Sequence, residues 1–196
     1  MDSWVCDLSH ILIGNSKNFS QSDEIQGRAV FDSSYDNIEI PAKYLHLFKE
    51  KYFAVNFENK LCNQKETDNS IIFTCEKQTN LEEISFIIGG YGLIIPGNKL
   101  FTEVQSGNST LLQFNIHFSK DSRNFIRIGR ILLDEYLVTY DSELGLVGFY
   151  GDNKKNFQKE WSLWWNSGFK SITSQEHFNY LIAPCTIVTG KQNTIS

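Results

Sequence analysis

The sequence predicts a mainly β fold: one lobe of twisted, layered antiparallel sheets with a few short helices. Three observations carry that expectation. Short β-branched and aromatic runs recur along the chain, and clusters of Gly, Asn, Asp and Ser separate them. Only a few segments space their apolar residues at the helical period.

Trp4-Val5-Cys6-Asp7-Leu8 and Ile11-Leu12-Ile13 read as strands that end at Gly14-Asn15, and residues 16–26 as a polar turn region. Ala29-Val30-Phe31 is a wholly apolar strand stopped by Asp32-Ser33-Ser34, with Ile38-Glu39-Ile40-Pro41 after it. From Ala42 to Tyr52, the residues Tyr44, Leu45, Leu47, Phe48 and Tyr52 fall mostly at helical spacing. Pro41 suits the start of that helix, because its missing N–H would be unpaired there anyway. Ile71-Ile72-Phe73, residues 84–88 and residues 92–95 follow as strands, with Gly89-Gly90 as a hairpin turn. That Gly pair is no phosphate loop, since no Lys follows it and it opens no helix. Residues 111–118 and 125–128 alternate, and Ile131 to Leu137 reads as a short helix or turn. Val138-Thr139-Tyr140-Asp141 and Leu146-Val147-Gly148-Phe149 flank the turn Ser142 to Gly145.

After Asp152 the character changes. A polar break, Asn153-Lys154-Lys155-Asn156, leads into a tail with three of the four Trp. Trp161, Trp164 and Trp165 lie on one face of a helix if the segment is helical. One reading makes them a membrane-interface anchor or partner surface, the other a cap on the body of the domain. Sparse Lys and Arg around them favour the cap.

The chain has 196 residues, 41% of them apolar and 14% aromatic, enough for a sizeable core. A formal charge of −5 argues against nucleic-acid binding, which rests on clustered Lys and Arg. No apolar run is long enough for a helical membrane span, and the opening Met-Asp-Ser-Trp-Val-Cys shows no secretory leader pattern. His10, His46, His117 and His177 are scattered and no C-x-x-C occurs, so neither a metal nor another cofactor is expected.

The cysteines are Cys6, Cys62, Cys75 and Cys185. Cys62 and Cys75 bracket the polar stretch Asn63 to Ser70, which fits a hairpin-like closure stapled by one disulfide; pairing of Cys6 with Cys185 is left open. Sequons stand at Asn18 and Asn108. Together these point to an oxidising, secretory-pathway history, lysosome-like, vacuolar or extracellular; chance sequons and buried free thiols are the alternative.

Three segments in order resemble the C-terminal lobe of pepsin-like aspartic proteases (peptidase family A1). Trp4-x-x-x-Leu8-x-x-Ile11-x-Ile13-Gly14 is similar to the strands that open that lobe. Ala29-Val30-Phe31-Asp32-Ser33-Ser34 with Ile38-x-Ile40-Pro41 resembles its catalytic segment, Asp-Ser/Thr-Gly at the end of an apolar strand. Ile128-Gly129, Tyr136, Tyr140-Asp141 and Val147-Gly148-Phe149 resemble its closing run. Cys62, Cys75, Gly89-Gly90 and Leu93-x-x-Pro96 fit the disulfide loop and hairpin between them. The resemblance implies a lobe over residues 1–151 and a Trp-rich extension over 152–196 that packs on the lobe or on a partner.

Enzymes of this family cleave peptide bonds with two carboxylates about 3 Å apart that share a proton and activate a water. Each lobe supplies one Asp. The resemblance makes Asp32 the catalytic candidate and Ser33 its support, through a hydroxyl able to join the network between lobes. No second Asp-Ser/Thr-Gly exists in the chain, so hydrolysis requires another lobe: a separate chain, an upstream segment or a two-fold copy. Ser34 replaces the family's Gly, where a side chain crowds the site or strains the backbone. Tyr35 replaces a small hydroxyl residue and cannot reach back to the carboxylate in the same way. Arg130, directly after Ile128-Gly129, is expected to bring a cation to the loop, and a nearby cation works against a shared proton. Asp141 is expected to be a structural turn residue. Two readings stay open: half of an aspartic endopeptidase, or a degenerate pseudo-protease lobe kept as a scaffold or protein-binding module. A third, an unrelated lectin-like or inhibitor β-domain, would place Asp32 far from any cleft.

Overall fold

The computed structural model describes residues 3–13, 25, 27–76, 82–89, 91–121, 124–150 and 180–188. Among these residues, fourteen strands form one connected sheet, eleven along its main path and three branching from it. The chain is mainly β, as its sequence predicts.

The first strand, β1 (Ser3–Ile13), spans both sequence-predicted strands without a break. It is the hub of the sheet. Its first half pairs with β2 (Gly27–Phe31) on one side and β14 (Tyr180–Val188) on the other. Its second half, past an irregularity between Leu8 and His10, pairs with β6 (Ile84–Ile88). The β6 ladder continues to β7 (Tyr91–Ile95), joined across the turn at Gly89.

Pro41 ends β3 (Ile38–Pro41), and a 3₁₀ turn over Ala42–Tyr44 leads into α1 (Leu45–Lys51) and then α2 (Ala54–Glu58). Phe48, Tyr52 and Phe53 drop from this helical segment into the core. Phe53 sits at its centre, with ring centroids 4.7 Å from Phe73 and 4.9 Å from Phe114. Phe48 meets Phe118 edge-on at 5.0 Å. These tilted and edge-on pairs place positive ring edges against negative ring faces, which adds to the gain from apolar burial. The helices therefore exist to deliver aromatic rings onto one face of the sheet.

The polar stretch after Cys62 is no free loop. It forms β4 (Cys62–Glu66), paired with β5 (Ser70–Cys75), so that Cys62 stands directly opposite Cys75 and the two are disulfide-bonded. The alternating burial of β5 pins Ile71, Phe73 and Cys75 inward. Beyond it lie β9 (Ser109–Phe114) and the sheet-edge strand β8 (Phe101–Ser106), which the sequence reading did not mark as a strand.

The remaining strands are β10 (Ile116–Ser119), β11 (Phe125–Ile128), β12 (Leu137–Asp141) and β13 (Leu146–Tyr150), with α3 (Arg130–Leu133) between β11 and β12. Asp141 caps the β12–β13 turn by accepting from the N–H groups of Glu143 and Leu144, each at 3.0 Å. Between α3 and β12, buried Tyr136 clasps β7: its hydroxyl accepts from the Ile94 N–H at 2.7 Å and donates to the Ile94 carbonyl at 3.0 Å. Burial pushes that phenol up to about 12.

Strand β14 inserts between β13 and β1, and a second disulfide, Cys6–Cys185, joins it to β1. The Trp161, Trp164 and Trp165 group, Asn18 and most of the 16–26 turn region lie outside the described residues. The Cys62–Cys75 bridge closes a short loop, with a sequence separation of 13, and its chain-entropy contribution is about 3 kcal/mol. Cys62→Ala/Cys75→Ala is therefore expected to lower unfolding stability by about that amount with little change in the native circular dichroism. Urea titration of both forms measures it, and an unshifted midpoint counts against the bridge as a staple.

Candidate active site

Strand β2, whose apolar run is Ala29–Phe31, lies between two neighbours, antiparallel β1 and parallel β11. Ala29 is fully buried and Phe31 nearly so. The chain leaves the ladder at Asp32, whose N–H still donates to the Ile128 carbonyl at 3.0 Å. Asp32 thus stands at the carboxyl end of a parallel strand pair, fixed by backbone.

The turn that follows holds the carboxylate. Oδ1 of Asp32 accepts from the Ser34 N–H at 3.0 Å and from the Ser34 hydroxyl at 2.6 Å. The Tyr35 N–H donates to the Asp32 carbonyl at 3.2 Å, closing the turn. Ser34 thus supplies two donors to one carboxylate oxygen, its N–H and its hydroxyl. Among described non-glycine residues only Lys60 has a positive φ, so Ser34 sits there without left-handed strain. Ser33 is exposed at the tip of the turn.

After the loop, β3 pairs antiparallel with β11, so β11 lies between the two strands that the loop connects. Gly129, next along, passes directly under the loop. A Cβ there would collide with the carbonyl oxygens of both Tyr35 and Asn37. The next two amides fasten the loop from below: Arg130 N–H to the Tyr35 carbonyl at 2.7 Å, and Ile131 N–H to the Asp36 carbonyl at 3.2 Å.

The cation beside the carboxylate is Arg127, which corrects the expectation placed on Arg130. Arg130 turns outward and meets exposed Asp36 at 3.4 Å. Arg127 Nε lies 3.7 Å from Asp32 Oδ2, and its Nη1 is 3.1 Å from Glu39 Oε2. The reason is register. Arg127 stands opposite Glu39 across the β11–β3 ladder, whereas Arg130 has already entered α3. An Arg in the apolar run of β11 and a Glu in that of β3 were the signal for this pair.

Tyr35 does not turn back to Asp32. Its ring lies under the Arg127 guanidinium, 5.2 Å from the centroid, and its hydroxyl is 3.4 Å from His117 Nδ1. Burial raises the Tyr35 phenol, with nearby Glu39 adding and Arg127 opposing. Burial lowers the His117 imidazole below its ordinary value, with Glu39 working the other way. On the solvent side, a cleft of about 440 Å³ is lined by Tyr35, Glu39, Ser70, Ser119, Lys120 and Arg127; Asp32 does not line it. Among the described residues no three His, Cys, Asp or Glu side chains converge to hold a metal ion.

A family model of eukaryotic aspartyl proteases matches residues 2–150. The chain belongs to that family, and the extent of the match is consistent with a single lobe. No curated protein matches it.

Two outcomes test this geometry. Gly129→Ala is expected to destabilise the fold by on the order of 3 kcal/mol, because backbone rather than a flexible side chain must move. Thermal unfolding checks it, and a wild-type midpoint would show that the loop has room. For His117, the native state holds the proton less readily than the unfolded chain. Its contribution to stability is therefore complete above about pH 6.5 and is lost as the pH falls through the lowered native value. Denaturant midpoints at pH 7 and pH 5 are expected to differ less in His117→Gln than in wild type; an equal difference would refute the assignment.

Proposed function

We propose that the chain is one lobe of a pepsin-like aspartic endopeptidase and supplies Asp32 as one of the two carboxylates that hydrolyse a peptide bond. The other carboxylate comes from a second aspartic-protease lobe, and the substrate is a peptide or protein. The observation that carries this reading is the hold on Asp32: a carboxylate at the end of a parallel strand pair, its Oδ1 fixed by two donors from its own turn. Paired with a second Asp, such a group takes a proton from water on one carboxylate while the other protonates the scissile group. Exposed Ser33, at the tip of the turn, is assigned the cross-lobe hydrogen bond. The two disulfides support passage through an oxidising compartment, with a secreted, lysosomal or vacuolar destination.

A degenerate, non-catalytic lobe is the second reading, favoured by Arg127 at 3.7 Å from Oδ2. A cation there favours two ionised carboxylates over one shared proton. It would leave the lobe as a scaffold or protein-binding module.

Measured on the lobe assembled with its partner, catalysis predicts an acidic optimum and inhibition by a statine-type mimic of the tetrahedral intermediate. Asp32→Asn is expected to lower kcat by at least a thousandfold while leaving assembly intact, given the role of a dyad carboxylate. An assembled wild type that neither cleaves nor binds the mimic would establish the degenerate reading instead.

A further inference from the structure

We propose that Asn108 is an N-glycan acceptor and that the glycan shields the free edge of the sheet. The proposal rests on the secretory-pathway assignment above and extends it to a particular side chain.

Asn108 occupies a two-residue turn with Gly107, between the paired residues Ser106 and Ser109. Gly107 has φ of +61°, the left-handed geometry that such a turn demands and that Gly adopts without cost. The hairpin stands off the body. Strand β9 pairs with β5 only at Gln113 and Leu112, so residues 104–111 have no ladder partner but each other among the described residues. Residues 105–110 are all exposed, and among the described residues no heavy atom beyond Gly107 and its two chain neighbours comes within 4 Å of where a Gly107 Cβ would lie. A large polar group at the tip would meet solvent alone.

The acceptor triplet is complete: Asn108, then Ser109, which is not Pro, then the hydroxyl of Thr110. In the folded hairpin that hydroxyl accepts from Gln105 Nε2 at 3.1 Å across the strand pair. Among the described residues, strand β8 ends the sheet path and pairs only with β9. A row of unpaired N–H and C=O groups along such an edge invites pairing with another chain. A glycan at the end of β8 opposes that approach by bulk and hydration.

The co-reactant is a polyprenyl-pyrophosphate-linked oligosaccharide. The Asn108 side-chain nitrogen forms a bond to the anomeric carbon, the carbon–oxygen bond to pyrophosphate breaks, and the lipid pyrophosphate leaves. The amide gives up one proton.

The test is expression of the full chain behind a cleavable leader in a eukaryotic secretory host, followed by peptide mapping before and after enzymatic glycan release in ¹⁸O water. The peptide containing Asn108 is expected to return as Asp carrying ¹⁸O. Asn108→Gln and Thr110→Val are each expected to remove one glycan step from the gel mobility, and Gln105→Ala to leave it unchanged. A secreted, disulfide-bonded chain with bare Asn108 would overturn the proposal, as would an ¹⁸O-labelled Asp at position 108 that survives Thr110→Val. Reduced cysteines in the chain isolated from its own cells would instead overturn the secretory assignment, which keeps the two failures apart.

Discussion

The passage of β11 between β2 and β3, with Gly129 pressed against the loop that joins them, is the constraint on which the candidate site depends. Both neighbours are fixed by ladders: parallel pairing to β2 sets where Asp32 leaves the sheet, and antiparallel pairing to β3 sets where the loop returns. The loop must cross over the chain that follows β11, and the crossing is tight enough that only a residue without a Cβ fits beneath Tyr35 and Asn37. Hydrogen bonds from the next two amides then close the arrangement. The position of the carboxylate is thus a property of the backbone. Its partners are a property of the side chains.

The rest of the molecule serves to hold those three strands in place. On one side β1 backs β2 and is itself tied to β14 by both a ladder and the Cys6–Cys185 bridge. With a sequence separation of 179, that bridge makes a strand far along the chain part of the same sheet. On the other side β10 runs parallel to β3 and presents Phe118 to the aromatic cluster beneath α1. Loss of either support would loosen a strand that defines the loop. The cluster is dense because its rings tile at edge-on and tilted angles, an arrangement with little tolerance for volume change.

Most of this fold was legible in the sequence, for identifiable reasons. Strands with a wholly or mostly apolar run, such as Ala29–Phe31 and Phe125–Ile128, declared themselves, as did the turns at Gly89 and at Ser142–Gly145. Asp141 behaves as a turn residue of its type does. Strand β4 and edge strand β8 were hidden because both are largely exposed and polar on their surfaces, so alternation carries no signal. At the site, position was legible and partnership was not. The motif located Asp32, yet the nearby cation was assigned to Arg130 from its proximity in sequence. Opposition across a ladder decides such contacts, and the Arg127–Glu39 register becomes visible only once β11 is known to lie beside β3.

Arg127 has a structural reason to be there that is separate from catalysis. Asp32, one residue past β2, and Glu39, in β3, flank β11 and are each partly withdrawn from water, with side chains 29% and 18% exposed. Two carboxylates so placed repel each other and lose hydration; a guanidinium on the strand between them relieves both costs, and the Tyr35 ring below supplies a negative face to the same cation. Glu39 thus explains Arg127, and Arg127 in turn explains why Tyr35 lies under it and reaches His117 instead of Asp32. Two departures of the loop from its family pattern, Ser34 and Tyr35, thus join one connected group of side chains around Asp32 and Arg127, while Arg130 stands outside it. It follows that the charge on Asp32 cannot be freed by removing Arg127 alone, since that leaves Glu39 uncompensated. Only the paired replacement Glu39→Gln/Arg127→Gln lifts the cation while keeping the ladder neutral, and that pair separates what the cation does to the carboxylate from what it does for the fold.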